Sequence, residues 1–329
     1  SARVVAELKY QAERYMIKSF VFTDCILSQT QVKELPLVLS KEDGFHLFAE
    51  VKSNLTASQL RGLRKAGFVM LQPGIESFQD DLLCLMHKGN SAIKHLELLK
   101  NSRIYGVTLL WNILTRMPGD KPDYYRQMNE LIPWLTHLQP PLAVGRIIFQ
   151  RNSCYTQNAA QYGLQLRSIE PYRLIGNFGD DFLQRSAEYF ENVAPGRILS
   201  KEMQAVLDEL AAKREFWLQA FKYSFGDRLT VKVKQGRWEV WDLRKKAPEA
   251  FYILPEMEQK ILAATEEVVT FGSLPQRVPD ATAEELEKAV ADLEDRHLVV
   301  RIGNQLLSLV TTSLETYQEE LLLPVGHIT

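Results

Sequence analysis

A chain of 329 residues, 46% hydrophobic and 24% charged, has the composition of ordinary globular proteins, with room for one large domain or one domain and a smaller companion. Its 39 basic and 41 acidic residues leave a net charge of −2, which argues against nucleic-acid binding driven by a basic field. No apolar run approaches the roughly 20 residues that span a bilayer, and Cys25, Cys84 and Cys154 form an odd, dispersed set; a membrane span and a disulfide framework are excluded, and a reducing, cytoplasmic location is expected.

The first element is an amphipathic helix, with Val4, Val5, Leu8, Ala12 and Tyr15 at helical spacing and Glu7, Lys9, Glu13 and Arg14 between them. The chain starts at Ser1 and not at Met, and enters this helix at once, which reads as a piece of a longer protein. Ser19–Asp24 is a short aromatic and β-branched strand ending in a carboxylate, followed by a helix from Thr30 to Leu39 and a strand at His46–Val51. Thr56-Ala-Ser-Gln59 has capping-box spacing and opens a helix that Gly67 closes. Phe68–Leu71 is the next strand and runs into Gln72-Pro-Gly-Ile-Glu-Ser77. Helical stretches follow at Asp80–His87 and Ser91–Tyr105, then a strand at Gly106–Leu114, a helix at Tyr124–Leu138 and a strand at Val144–Phe149.

Strands this apolar, alternating with helices, imply a parallel sheet covered by helices. Even spacing without a dinucleotide glycine fingerprint favours a (β/α) TIM-like barrel, or part of one, over a Rossmann sheet. The expected class is therefore α/β, with a partial barrel over 1–165, a connector over 166–195 and a small α+β module over 196–329. In that module Leu199–Tyr223 reads as a long helix and Arg228–Leu243 as a hairpin turning at Gly236. Helices at Pro255–Glu267, near Ser273 and from Thr282, and then a hairpin at Leu298–Val310, follow the order of a winged helix.

Barrel chemistry sits at the C-terminal ends of strands. The polar residues there are Asp24, Glu50 and Lys52, Gln72, Glu76 and Ser77, Asn112, and Gln150 and Arg151. Carboxylates from successive strands suit a ligand bearing hydroxyls or an ammonium group, although strand ends meet water and are polar for that reason alone.

The same residues carry a family resemblance. Phe68–Gly89, with Gln72-Pro-Gly-Ile-Glu-Ser77 and Lys88-Gly89, resembles the fourth-strand segment of radical S-adenosylmethionine enzymes, most closely the cobalamin-domain branch. Trp111–Asp120 resembles the fifth-strand segment ending in Gly-x-Pro-Gly-Glu, and Phe20–Asp24 the acidic end of the second strand. Leu138–Pro141 and Gly145–Arg151 are similar to the subgroup that matures ribosomally made peptides. The resemblance covers roughly residues 3–165.

It implies cleavage of S-adenosylmethionine by a 4Fe–4S cluster, with cobalamin in an upstream domain and a precursor peptide as substrate. Carried over, Asp24 approaches the methionyl amino group, Glu50 and Glu76 the ribose hydroxyls, with Asn112 a further ribose contact. Gln72 and Ser77 belong to the same cofactor-binding turn, and Arg151 pairs with the methionyl carboxylate. The outcome (methylation, epimerisation or cross-linking) stays open. The Cys-x-x-x-Cys-x-x-Cys motif is absent, as is the cobalamin motif; both are expected in a missing N-terminal half of the same protein, so this chain alone is expected to be inert. Arg116 stands where the family usually has glycine and Asp120 where it has glutamate.

Other candidates are weaker. Cys25 reads as a small buried hydrophobe before a nucleophile, and His46, His87 and His95 lack metal spacing. Trp134, Trp217, Trp238 and Trp241 fit core packing better than a binding surface. Arg228–Lys246 carries Arg228, Lys232, Lys234, Arg237, Arg244, Lys245 and Lys246 against Glu239 and Asp242, a solvated face or a dock for an acidic peptide. The winged-helix-like module resembles leader-peptide grips, whereas its acidic third helix, with Glu284, Glu285, Glu287 and Asp292 against Lys288, is unsuited to DNA. The alternatives to the radical enzyme are a non-catalytic peptide-binding scaffold with a degenerate barrel and a barrel hydrolase using Glu50 and Glu76.

Overall fold

The computed structural model describes residues 1–23, 26–40, 43–194, 199–223 and 228–311. Strand and helix alternate from the start: α1 (Ala2–Tyr15), β1 (Ser19–Val21), α2 (Gln29–Val38), β2 (His46–Val51), α3 (Ala57–Lys65), β3 (Phe68–Pro73) and α4 (Asp80–Leu85). Then come α5 (Ala92–Tyr105), β4 (Thr108–Leu109), β5 (Ile113–Thr115), α6 (Pro122–Leu131) and β6 (Val144–Arg146). Capping boxes at Ser28/Gln31 and Thr56/Gln59 start α2 and α3, each side chain satisfying the other residue's backbone N–H. The Ser28 cap moves the start of α2 ahead of the Thr30 expected from the sequence.

The strands are parallel and follow chain order, β1-β2-β3-β4 in one sheet and β5-β6 in a second. The single strand expected over Gly106–Leu114 is thus two. The reason lies across the sheet: β3 ends at Pro73, the chain bulges, and Glu76 rejoins by a bridge to Ile113, accepting the Leu114 N–H at 3.0 Å. Leu47, Leu60, Leu63, Phe68, Leu71, Leu96 and Leu109 are fully buried between sheet and helices. The result is a mixed α/β unit built on a parallel sheet.

A second run comprises β7 (Phe149–Gln150), α7 (Cys154–Gln157), β8 (Leu166–Ser168), α8 (Pro171–Ile175), α9 (Asp180–Ser186) and β9 (Tyr189–Asn192). Its strands form a small antiparallel sheet, β7-β9-β8. The helix α10 (Lys201–Tyr223) packs on α6. Its Trp217 is fully buried against Trp111, at 5.9 Å between ring centroids, and donates its indole N–H to the Leu138 carbonyl at 2.8 Å. This helix, grouped with the C-terminal module from sequence, therefore packs on the parallel-sheet unit.

The remainder holds β10 (Leu229–Lys234), β11 (Arg237–Asp242), β12 (Phe251–Ile253), α11 (Glu256–Ala264), β13 (Val269–Thr270), α12 (Leu274–Arg277), α13 (Ala283–Asp295), β14 (Val299–Ile302) and β15 (Gln305–Ser308). Gln235 and Gly236, both at positive φ, turn the first hairpin, and β12 adds a third strand that the sequence did not reveal. The last sheet has the order β13-β15-β14 and lies on α5. Contact on both sides leaves α5 buried nearly all round. Its Lys100 donates to the Glu266 carbonyl, and its Glu97 accepts the Val268 N–H at 2.7 Å. Among the described residues no helix is long and apolar enough to cross a membrane.

One expectation is corrected here. Arg244 does not belong to a solvated basic face: it is buried just past the end of β11, ion-paired with Asp242 at 2.5 Å and donating to the Trp134 and His297 carbonyls.

Candidate functional site

Parallel strands in chain order bring their C-terminal ends to one edge. Glu50 at the end of β2 is the cross-strand partner of Gln72 on β3, and Asn112 lies between β4 and β5. Glu50 is half-buried, Gln72 and Asn112 are exposed, and the Glu50 carboxylate has no partner among the described residues. Asp24 and Cys25 lie outside the described residues.

Glu76 occupies the bulge after β3 with φ 61, a left-handed conformation uncommon for glutamate. Its carboxylate lies 3.5 Å from Lys88 Nζ. Burial lifts its pKa above the usual carboxylate range, and the Lys88 charge opposes that rise. Lys88 is aimed by the end of α4: its N–H bonds to the Leu83 carbonyl and the His87 N–H to Cys84, with His87 left-handed at φ 53. That is a Schellman ending, with histidine where glycine is usual. The His87 ring meets the Tyr162 hydroxyl at 3.2 Å.

Ser77 is not a cleft residue. It is fully buried, its hydroxyl accepting the Gln79 N–H at 3.0 Å and facing Met128 Sδ at 3.3 Å. Its carbonyl meets His95 Nδ1 at 3.0 Å, while His95 Nε2 meets Ser53 Oγ at 2.9 Å. A carbonyl only accepts, so Nδ1 carries the proton and Nε2 accepts from Ser53. Burial pushes the His95 pKa down to about 4, which keeps the ring neutral. The ring ties the loop after β2 to the turn after β3. In the sequence His95 is one of several polar residues of α5, and nothing in its spacing marks this role.

The turn after β5 is built on two left-handed residues, Arg116 at φ 63 and Gly119 at φ 87. Tyr125 on α6 fastens it, accepting the Arg116 N–H at 3.1 Å and donating to Asp120 Oδ2 at 2.5 Å. Burial raises the pKa of both Asp120 and Tyr125. Arg151 is engaged away from the strand ends: Nε donates to the Ala187 carbonyl at 2.6 Å and Nη2 to Gln184 at 2.8 Å, closing the C-terminus of α9, with the guanidinium over the Phe190 ring.

The donor set fits the implied groups unequally. Glu50, Glu76, Gln72 and Asn112 supply acceptors and amides suited to hydroxyls. Among the described residues no group of three His, Cys, Asp or Glu could hold a metal, and Cys84 and Cys154 are separate, exposed thiols. These residues do not form an iron–sulfur site.

No family model matches the chain, and no curated protein matches it. Among solved structures it is similar to the radical S-adenosylmethionine methyltransferase TsrM from Kitasatospora setae with cobalamin and a [4Fe-4S] cluster bound, at 14% identity and TM-score 0.47 over 89% of this chain and 56% of that one. Against TsrM with its tryptophan substrate and a SAM analogue bound, the values are 15% and 0.45 over 64% and 46%. The cobalamin-dependent S-adenosylmethionine radical enzyme OxsB with aqua-cobalamin bound gives 9% and 0.43 over 66% and 42%. The chain spans about half the length of these structures, which are what it is similar to in fold.

Proposed function

We propose that the chain is the C-terminal portion of a radical S-adenosylmethionine enzyme of the peptide-maturation type. One observation carries the reading: Gly74 and Glu76 of the fourth-strand turn and Lys88 of the Lys-Gly step, which belong to one segment of the sequence resemblance, meet in space. Lys88 Nζ lies 3.5 Å from Glu76 and fills the room beside Gly74 that a Cβ would take. In this reading Glu50 and Glu76 accept the ribose hydroxyls, Asn112 adds a further contact and Asp24 takes the methionyl amino group. Arg151 enters only by releasing two carbonyls. The iron–sulfur ligands, and a cobalamin domain, belong to a segment ahead of Ser1, and this chain alone is inert.

The first unit is then part of a (β/α) barrel, its strands in chain order supporting that reading. The arrangement of α11, β13, α12, α13 and the β14–β15 hairpin is read as a winged helix that grips a leader peptide.

Anaerobic reconstitution with iron and sulfide tests the proposal. This chain is expected to gain no cluster absorbance and to release no 5′-deoxyadenosine, whereas a form extended upstream does both. In that form Glu76→Gln weakens S-adenosylmethionine binding by about tenfold, the scale of a charge-assisted hydrogen bond. An upstream reading frame without the three-cysteine motif would overturn the proposal in favour of a non-catalytic peptide-binding scaffold.

A further inference from the structure

A cleft of about 990 Å³ opens beside the turn Arg116–Asp120, between the end of β6, the β7-β9-β8 sheet and the first turns of α10. None of the strand-end residues singled out from the sequence, among those described, lines it. Met117, Phe149, Leu164 and Leu199 give it apolar walls.

Its charges are unevenly committed. Glu191 sits 3.6 Å from Arg146 and 3.0 Å from Arg167. Asp120 accepts from the Tyr125 hydroxyl, and Asp208 from the Gln204 amide at 2.7 Å. All three carboxylates of the lining are thus held. Arg116 and Lys201 also line the cleft; the Arg116 charge acts on Asp120 and Tyr125 from a distance, but neither side chain makes a hydrogen bond or ion pair among the described residues. Arg116 moreover holds a left-handed backbone at φ 63, a conformation that costs about 1 kcal/mol or more for a residue with a Cβ. Tyr125 holds that backbone N–H in place, so a long cation stands where glycine would be cheaper. Lys201, Gln204, Ala205 and Asp208 line the cleft from one face of α10, whose N-terminal dipole adds to the positive side.

We propose that this cleft binds an organic anion, its carboxylate or phosphate between Arg116 and Lys201 and its apolar body against Met117, Phe149, Leu164 and Leu199. The cleft falls within the size range of small-ligand sites, and its mixed lining offers both charge and apolar surface to one molecule. Binding here needs neither a cluster nor S-adenosylmethionine, so the inference stands apart from the function proposed above.

Calorimetric titration of the full chain tests it, with N-acetylphenylalanine as the carboxylate probe, phenyl phosphate as the phosphate probe and N-acetylphenylalanine amide as the neutral control. One or both anions are expected to bind one to one and the amide about tenfold more weakly, the stronger anion naming the headgroup. Arg116→Gln and Lys201→Gln each cost about tenfold, while Lys232→Gln on β10 leaves affinity unchanged. Arg116→Gly removes the charge while relieving the backbone, so its loss of binding is not a loss of fold. Equal binding of acid and amide, no binding of either anion, or displacement of the probe by S-adenosylhomocysteine would each overturn the proposal.

Discussion

Lys88 reaches Glu76 through space that Gly74 leaves open: Nζ stands 3.5 Å from the carboxylate, and a Cβ on Gly74 would lie 2.9 Å from that nitrogen. Burial raises the Glu76 pKa above 4.5 and Lys88 holds the rise in check. A carboxyl whose folded pKa is raised contributes stability that is full below the unfolded value and lost as pH rises through the folded one. Lys88→Met is therefore expected to steepen the loss of stability between pH 4 and 7, by about 1 kcal/mol or less because both groups are partly exposed. Glu76→Gln flattens it. Gly74→Ala displaces only the flexible tip of a lysine, so it folds normally while steepening the loss as Lys88→Met does. Urea midpoints at the two pH values decide this, and unchanged slopes in both Lys88→Met and Gly74→Ala mean that the pair is uncoupled.

Arg116 gives a second test, in which backbone and side chain separate. Its φ of 63 is open to glycine without strain, so Arg116→Gly is expected to be more stable than Arg116→Ala by about 1 kcal/mol. At an ordinary helical position the order would be reversed, with glycine the weaker residue. Thermal unfolding of the two variants reads the difference directly, and an alanine variant as stable as the glycine one would show that the left-handed turn costs nothing.

His95 predicts a loss of stability in acid. Its folded pKa of about 4 lies below the ordinary 6.5, so its contribution is full above pH 6.5 and fades as the pH falls towards 4. The span amounts to about 3 kcal/mol. His95→Gln is expected to cost about 2 kcal/mol at pH 7, since Ser53 and the Ser77 carbonyl lose a well-placed ring, and to lose less of its stability on acidification. His137, also buried and well below its ordinary pKa, titrates in both proteins and cancels in the comparison. A wild-type His95 ring that titrates near 6.5 by NMR would contradict the buried, neutral assignment.

These sites differ in how far the sequence exposes them. The capping boxes at Thr56/Gln59 and Thr282/Glu285, and the bounds of β2, are local facts and were readable as such. The break between β4 and β5 was not, because Glu76 on another strand decides it through its bridge to Ile113. β12 is three residues long and exists as the partner of β11. At the site, Glu50 and Glu76 sit at strand ends as their positions imply. Ser77 and Arg151 share that sequence position, yet one turns into the core and the other closes α9. Polarity at a strand end is visible in sequence, whereas the direction of the side chain depends on what packs above it.

Arg244 is the case where polarity misleads most, and it yields the last prediction. Two parallel contacts join it to Asp242, Nε to Oδ1 at 2.8 Å and Nη2 to Oδ2 at 2.5 Å. Nη1 donates to the Trp134 and His297 carbonyls at 2.9 and 3.0 Å, and Nη2 to Arg296 at 3.3 Å. The guanidinium also lies over the Trp134 ring, against which His297 stacks at 3.6 Å. One side chain thus fastens β11, the turn after α6 and the end of α13 together. Arg244→Met strands a buried carboxylate and three carbonyls, and is expected to cost about 3–5 kcal/mol. Arg244→Lys keeps the charge but lacks the planar fork, so it recovers only part of that loss. Asp242→Leu combined with Arg244→Met removes the stranded charge and is expected to be more stable than Arg244→Met alone. Denaturant unfolding of these three variants measures each step. If Arg244→Met costs less than about 1 kcal/mol, or the double variant is no better than the single, the pair is not what holds the C-terminal strands to the parallel-sheet unit.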